Sequence, residues 1–477
     1  MLTEVNIADA VINDDSNKIY GFDPAEYRGT SIVFHGKNNI LYLEEGLRFK
    51  NAAIEFIGDN SVLYISSTNH WCYQKITMES DAVCLIGHNV FVSETRPLTI
   101  YCGAGDRVAI GNDGLMASAV KIDTRKCKSE SDRNILIGSH VWLCQESTVG
   151  GNTVVKGGSV IGANAVISDT EVPGGTVCVA RDGEIRIHRE NIAFTRQSIR
   201  NTPRTNTCDY DSISDEHLAD IQRIAGENWD HVMADICVRE TSDKILDRLL
   251  LTKETRTYIP HFYENKGPKR TVRSAEEISF MYAGMKGLRV NKKSNTVIGS
   301  YNASGKCKLT FKGTGNVIIF EDGVCLHNTR ITFVGDNSIA YISRSNTPCH
   351  AFISIHSDCN LYIGEDTEFS ETGKVPIISV SEARSIIIGK KCRIGKGVYI
   401  RSSDQHPIYD VQTHKRINPP QDVIIGDGIK LEDNTFISKG RKIGLRDGFF
   451  KDRYERYMEK IQSAADIDKR RVILWQL

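Results

Sequence analysis

The chain has 477 residues with 60 basic and 60 acidic side chains, a balance that offers no broad field for nucleic acid or an anionic membrane, so partners must be recognised locally. Its length suits two or three domains. Met1–Asn6 lacks a basic segment followed by an apolar core, and no run approaches the roughly 18 apolar residues of a membrane span, which predicts a cytoplasmic protein without a transmembrane segment.

Thirteen cysteines, an odd number scattered without Cys-x-x-Cys spacing, predict reduced thiols rather than a disulfide framework. Cys84, Cys325 and Cys359 stand inside aliphatic repeats, where a thiol serves as a small apolar filler.

From the N-terminus a beat of six appears at Ile57 and Leu63, then at Ile86 and Val92, and is plainest from Ile137 through Leu143, Val149, Val155 and Ile161 to Ile167. Six fits neither a helix at 3.6 nor a strand at 2. It fits a solenoid of short strands whose aliphatic side chains point inward and stack coil upon coil. From Ser214 the pattern turns helical, with Leu218, Ile221 and Ile224 at spacings of three, a break near Gly226, and a resumption through Val232, Ile236, Ile245, Leu249 and Leu250. Ser214 is placed to cap the first helix and Thr241 or Ser242 a later one. Asn265–Arg270 reads as a polar linker.

The six-residue beat then returns at Ile363 and Phe369, at Ile388, Ile394 and Ile400, and at Ile425, Leu431 and Ile437. Asn39–Gly46 matches Asn316–Gly323, and Gly58–Ser61 matches Gly335–Ser338 at the same offset along the chain. The organisation expected is all-β: a first solenoid over 1–195, a helical linker over 196–290, a second solenoid over 291–446, and over 447–477 a C-terminal amphipathic helix from about Gly448 to Ile467.

The second repeat is interrupted by Arg401-Ser402-Ser403-Asp404-Gln405-His406-Pro407-Ile408-Tyr409-Asp410, which sets a histidine beside a carboxylate on a loop. Histidine accepts a proton near neutral pH, so His406 is a candidate general base, with Asp404 or Asp410 to orient it and Pro407 to stiffen the loop. The bland alternative is a solvent-exposed loop histidine.

The two repeats, and above all the stretch from Ile388 through the histidine loop and Lys415-Arg416-Ile417-Asn418 to Gly426, resemble the left-handed β-helix acyltransferases, specifically the bacterial O-acetyltransferases of capsule and lipopolysaccharide sugars. The resemblance implies two left-handed parallel β-helix domains, acetyl-CoA as co-substrate, no metal, a saccharide or polysaccharide acceptor and a homo-oligomer, with a trimer as the family rule. It implies catalysis by His406 and Asp404, acceptor contacts from Trp142, His140, Pro407, Tyr409 and Asn418, and coenzyme contacts from Val149, Gly150, Gly157, Gly162 and Ala163.

The repeats depart from the family pattern in opposite ways. Aligning Ile122 with Ile400 sets Lys128 opposite His406, so the first copy lacks the base but keeps Ile137-Gly138-Ser139-His140-Val141-Trp142-Leu143; the second reads Ile425-Gly426-Asp427-Gly428-Ile429-Lys430-Leu431, without the histidine and tryptophan. This complementary loss motivates a composite site of His406 and Asp404 with Trp142 and the coils from Val149 to Ile167, within one chain or between subunits. The bland alternative for Trp142 is a cover over the core, and for His140 a partner for a turn carbonyl. A catalytically inactive scaffold or saccharide-binding partner of an assembly enzyme is the alternative function. A zinc-dependent carbonic anhydrase would need three converging histidines, a spacing that His88, His140 and His350 lack. The remaining histidines, His356 among them, read as surface residues.

Overall fold

The computed structural model describes residues 10–21, 27–44, 47–67, 69–93, 96–129, 133–181, 184–202, 210–226, 244–249, 276–279, 289–290 and 295–445. It is an all-β chain built on parallel β-solenoids with few helices, and it divides into two compact units, each gathered from separate stretches of sequence. Residues 1–195, 213–262 and 408–415 form the first; residues 196–212, 263–407 and 416–477 form the second. Among the described residues no helix is long and apolar enough to cross a membrane.

In the first unit every third strand pairs in parallel, so that three sheets run the length of the solenoid. One aliphatic column explains why the coils stack. Ile32, Ile54, Ile76, Ile100, Ile122, Val149 and Ile167 sit in register on successive strands, each no more than 2% exposed. Burying one such side chain contributes roughly 1.5–3 kcal/mol, and a one-residue slip would turn the column outward.

The register accounts for the sequence beat. Ile137 pairs with Val155, Leu143 with Ile161 and Val149 with Ile167, so each of these coils is made of three sixes. The earlier coils, marked by Ile32, Ile54 and Ile76, are longer, and their length is no multiple of six. There a count of six fails: Leu63 is buried, but Ile57 is 42% exposed.

The second unit carries its own column, Leu309, Ile331, Ile353, Ile378, Ile400 and Ile437. Several contacts recur at the offset that relates the two repeats. Asn39 donates Nδ2 to Gly58 O and accepts from Ser61 N; Asn316 does the same with Gly335 O and Ser338 N. Tyr64 donates its hydroxyl to Glu44, and Tyr341 to Glu321. Side-chain amides at these corners satisfy backbone groups that the turn would otherwise leave unpaired.

The helix Asp215–Ala225 begins where the sequence places its cap, with Ser214 Oγ accepting from His217 N, and ends at Gly226. Its Leu218 and Ile221 pack with Ala193, Ile213 and Tyr409 inside the first unit. Residues 244–249 are also helical and bury Ile245, Leu246 and Leu249 against Tyr42, Tyr64 and Leu85 of that solenoid. The segments around Val232, Ile236, Thr241 and Ser242, the linker Asn265–Arg270 and the expected terminal helix from Gly448 lie outside the described residues.

Two side-chain expectations are corrected. His356 is 3% exposed rather than solvent-facing, because its Nδ1 meets Asn201 Oδ1 at 2.5 Å. Cys325 is only partly buried, whereas Cys84 and Cys359 are fully enclosed fillers.

Candidate active site

In the second unit the strand Tyr399–Arg401 leads into a long loop before the strand Val423–Ile425, and of this loop residues 408–415 belong to the first unit. His406 stands on this loop, partly exposed. Its Nδ1 lies 3.3 Å from Gln197 O. A carbonyl can only accept, so the ring is the donor in this contact, and the backbone of Arg196 hydrogen-bonds the same ring. Loss of hydration, and then the positive charges of Arg200 and Arg196, hold the imidazole down to about 3, so it stays neutral throughout the physiological range.

The segment that supplies Gln197 is tied to the same loop. Ile199 N donates to Gln405 O at 3.1 Å, and Arg200 O accepts from Glu382 N at 3.1 Å. No motif in residues 196–202 marks them as part of this site.

Asp404 is placed for charge. Its carboxylate meets Arg401 Nη2 at 3.0 Å and Lys439 Nζ at 2.6 Å, and it accepts from Asn418 Nδ2 at 3.2 Å. Burial alone would raise its pKa, but Arg401 and Lys439 bring it below the usual carboxylate value. Asn418 Nδ2 also donates to His406 O at 2.9 Å, so Asn418 links Asp404 to the backbone of His406. Pro407 is buried beside it. Asp410 instead caps a turn, accepting from Gln412 N and Thr413 N.

In the first unit, His140 is fully buried: Nδ1 lies 2.8 Å from Asp113 Oδ2 and Nε2 lies 2.8 Å from Phe194 O. The Phe194 ring stacks on His140 at 4.2 Å and tilts over Trp142 at 5.7 Å, leaving Trp142 3% exposed. Tyr409 is packed in the apolar cluster with Ala193 and Leu218, on a strand paired antiparallel to Ile192–Phe194.

Comparison with known proteins supplies the affiliation. No protein-family model matches the chain. It is 32% identical over 148 residues, 31% of its own length and 67% of the relative's, to a polysialic acid O-acetyltransferase of Neisseria meningitidis. The chain belongs to the hexapeptide-repeat O-acetyltransferase family, and it is an acyltransferase. A polysialic acid O-acetyltransferase of Escherichia coli O1:K1 is 39% identical over 61 residues, 13% of this chain and 20% of that one. The crystal structure of the polySia-specific acetyltransferase NeuO aligns with a TM-score of 0.33 and 20% identity, over 39% of this chain and 91% of that one.

The residues that the family pattern assigns to the coenzyme fall into different environments in this acetyltransferase. Val149 is a core residue. Gly150 lies so close to the backbone of Lys126 that a Cβ would come within 1.9 Å of its oxygen, and at Gly157 a Cβ would meet Ala225 O at 2.3 Å. Gly162 and Ala163 are partly exposed at a corner. The sequence reading does not find Glu382, Arg416 and Lys439, buried or partly buried charges around the histidine loop. Arg416 has a signal, since it opens the Arg-Ile-Asn triplet; a glutamate in Ser381-Glu382-Ala383 carries none.

Proposed function

We propose that the enzyme transfers an acetyl group from acetyl-CoA to a hydroxyl of a bacterial cell-surface saccharide by direct attack, with His406 as general base. The observation that carries this reading is the anchoring of the His406 ring, whose Nδ1 lies 3.3 Å from Gln197 O; with Nδ1 as the donor there, Nε2 is the atom that takes the proton as the hydroxyl oxygen attacks the thioester carbonyl. The tetrahedral intermediate then collapses, the C–S bond breaks, and the imidazolium returns the proton to the departing thiolate, giving free CoA and the O-acetyl ester. Asp404 acts by holding the loop through Asn418. Trp142 and His140, buried beneath Phe194, shape the coil rather than touch ligand, and the partly exposed corner at Gly162 and Ala163 is the part of the expected coenzyme surface open to a pantetheine chain.

The acceptor is anionic. Arg200 and Arg196 oppose formation of the imidazolium, and an acceptor carboxylate among these charges would offset them and raise the histidine toward the working range, where a base is most effective. The polysialic acid named for both relatives is consistent with such an acceptor.

The test is release of CoA thiol from acetyl-CoA with carboxylated and neutral capsule or lipopolysaccharide saccharides. Release with carboxylated acceptors that His406→Ala reduces about a thousandfold supports the reading. Undiminished release in His406→Ala contradicts the base; equal rates on neutral polymers contradict the anionic acceptor. Saccharide binding without release, unaffected by the mutation, would favour a scaffold.

A further inference from the structure

The Glu382–Arg416 pair is an unusual feature of the second unit. Both side chains are nearly sealed from solvent, at 3% and 4% exposed. Arg416 grips the carboxylate with two nitrogens, Nη1 to Oε2 at 2.8 Å and Nη2 to Oε1 at 3.3 Å. Glu382 itself takes a left-handed backbone, φ 56°, and so does Ala383 at 53°, a conformation that non-glycine residues adopt at a cost. A buried ion pair contributes little net stability, because desolvation offsets the attraction. Strained and buried, this one calls for another reason.

Its connections provide that reason. Glu382 accepts from Ser403 Oγ at the start of the histidine loop, and the same hydroxyl accepts from Gln405 N at 2.7 Å, next to His406. Arg416, near the far end of the loop, donates Nε to Asn418 Oδ1 at 3.3 Å, and Asn418 Nδ2 holds His406 O at 2.9 Å. Glu382 N donates to Arg200 O, anchoring the segment whose Gln197 carbonyl receives the ring proton. The Glu382 carboxylate therefore fastens both ends of the loop, and the Glu382 backbone amide fastens the segment that carries Gln197.

We infer that Glu382 is a positioning residue that acts through Ser403, Arg416 and Asn418 to fix the place and tautomer of the His406 imidazole. The inference rests on the reading of His406 as the base. Misplacing a reacting group by about 1 Å costs on the order of a hundredfold, while Glu382 is not among the residues given coenzyme contacts. Loss of Glu382 thus lowers kcat and leaves the KM for acetyl-CoA unchanged.

The experiment compares Glu382→Gln, Glu382→Gln combined with Arg416→Met, and each combined with His406→Ala, in the full chain. The charge-removed pair guards against a variant that unfolds because Arg416 is left buried alone. The expected result is a fall in kcat of about 10- to 100-fold, an unchanged KM for acetyl-CoA, and in the combined variants no loss beyond that of His406→Ala alone, because residues acting as a unit are non-additive. In the two variants that keep His406 the 15N resonances of its ring are expected to move from the Nδ1–H pattern toward a mixture of tautomers. Wild-type kcat, or a loss fully additive with that of His406→Ala, overturns the proposal, as does an unperturbed ring spectrum. The ring spectrum keeps the two ideas apart: a shifted spectrum with His406→Ala still active fails the base and spares the positioning.

Discussion

Each of the two units sends out a loop, after Lys121–Asp123 in the first and after Tyr399–Arg401 in the second. The corner beneath is built alike: Gly103 N donates to Thr124 Oγ1 at 2.9 Å in one, and Ser381 N to Ser402 Oγ at 2.9 Å in the other. Both loops are also pinned by an acid and an arginine. In the first, Asp106 accepts from Thr124 Oγ1 at 2.6 Å and meets Arg133 at 3.1 Å; in the second, Glu382 holds Ser403 and Arg416. What differs is the depth. The arginine is 32% exposed in the first clamp and 4% in the second, and the loop above it bears Lys128 in one and His406 in the other. A clamp with a partly exposed arginine closes the first loop, whereas the loop that bears His406 is fastened from inside.

That contrast can be broken most sharply at the clamps. Arg416→Ala leaves Glu382 buried and unpaired, and it should cost about 3–5 kcal/mol and most of the transfer rate; a chemical-denaturation curve that matches wild type would refute the burial argument. Asp404→Asn strips a partly buried carboxylate from Arg401 and Lys439, with a loss of about 2–3 kcal/mol expected and reduced transfer. Arg133→Ala, at the first loop, should cost less than about 1 kcal/mol and leave transfer unaltered. A larger cost there would mean that the two clamps are equivalent.

The pH dependence sharpens the same comparison. With the folded His406 held to about 3 against an ordinary value near 6.5, the unfolded chain binds the extra proton between those limits. The stability associated with this group is therefore present above about pH 6.5 and is lost progressively as the pH falls toward 3. The acid limb of kcat/KM, which reports the free enzyme, should lie well below pH 6, while kcat with a carboxylated acceptor should show its limb at higher pH. Coincident limbs near 6.5 would contradict the role given to Arg200 and Arg196.

Much of the fold was legible because the signal was local. Ile137 to Ile167 keep a strict six only where a coil is three short sides; the longer coils hide the period, and Ile57, counted into it, faces solvent. Ser214 and the spacing of Leu218, Ile221 and Ile224 announced their helix. His406, Asp404 and Asn418 were legible as types on a loop, and the structure joins them through one amide. Gln197, Arg200, Glu382 and Lys439 were not, since each reaches the loop from a distant stretch of chain and a lone charged or polar residue carries no periodicity. Trp142 was read for its chemistry, and only the structure reveals Phe194 over it.

The most direct test of the central claim is the rate of CoA release with acetyl-CoA and a carboxylated saccharide for His406→Ala beside Lys128→Ala, each checked for an unchanged circular-dichroism spectrum. The account predicts that the first variant loses about a thousandfold and the second nothing. Retained activity in His406→Ala, or a comparable loss in Lys128→Ala, would contradict it.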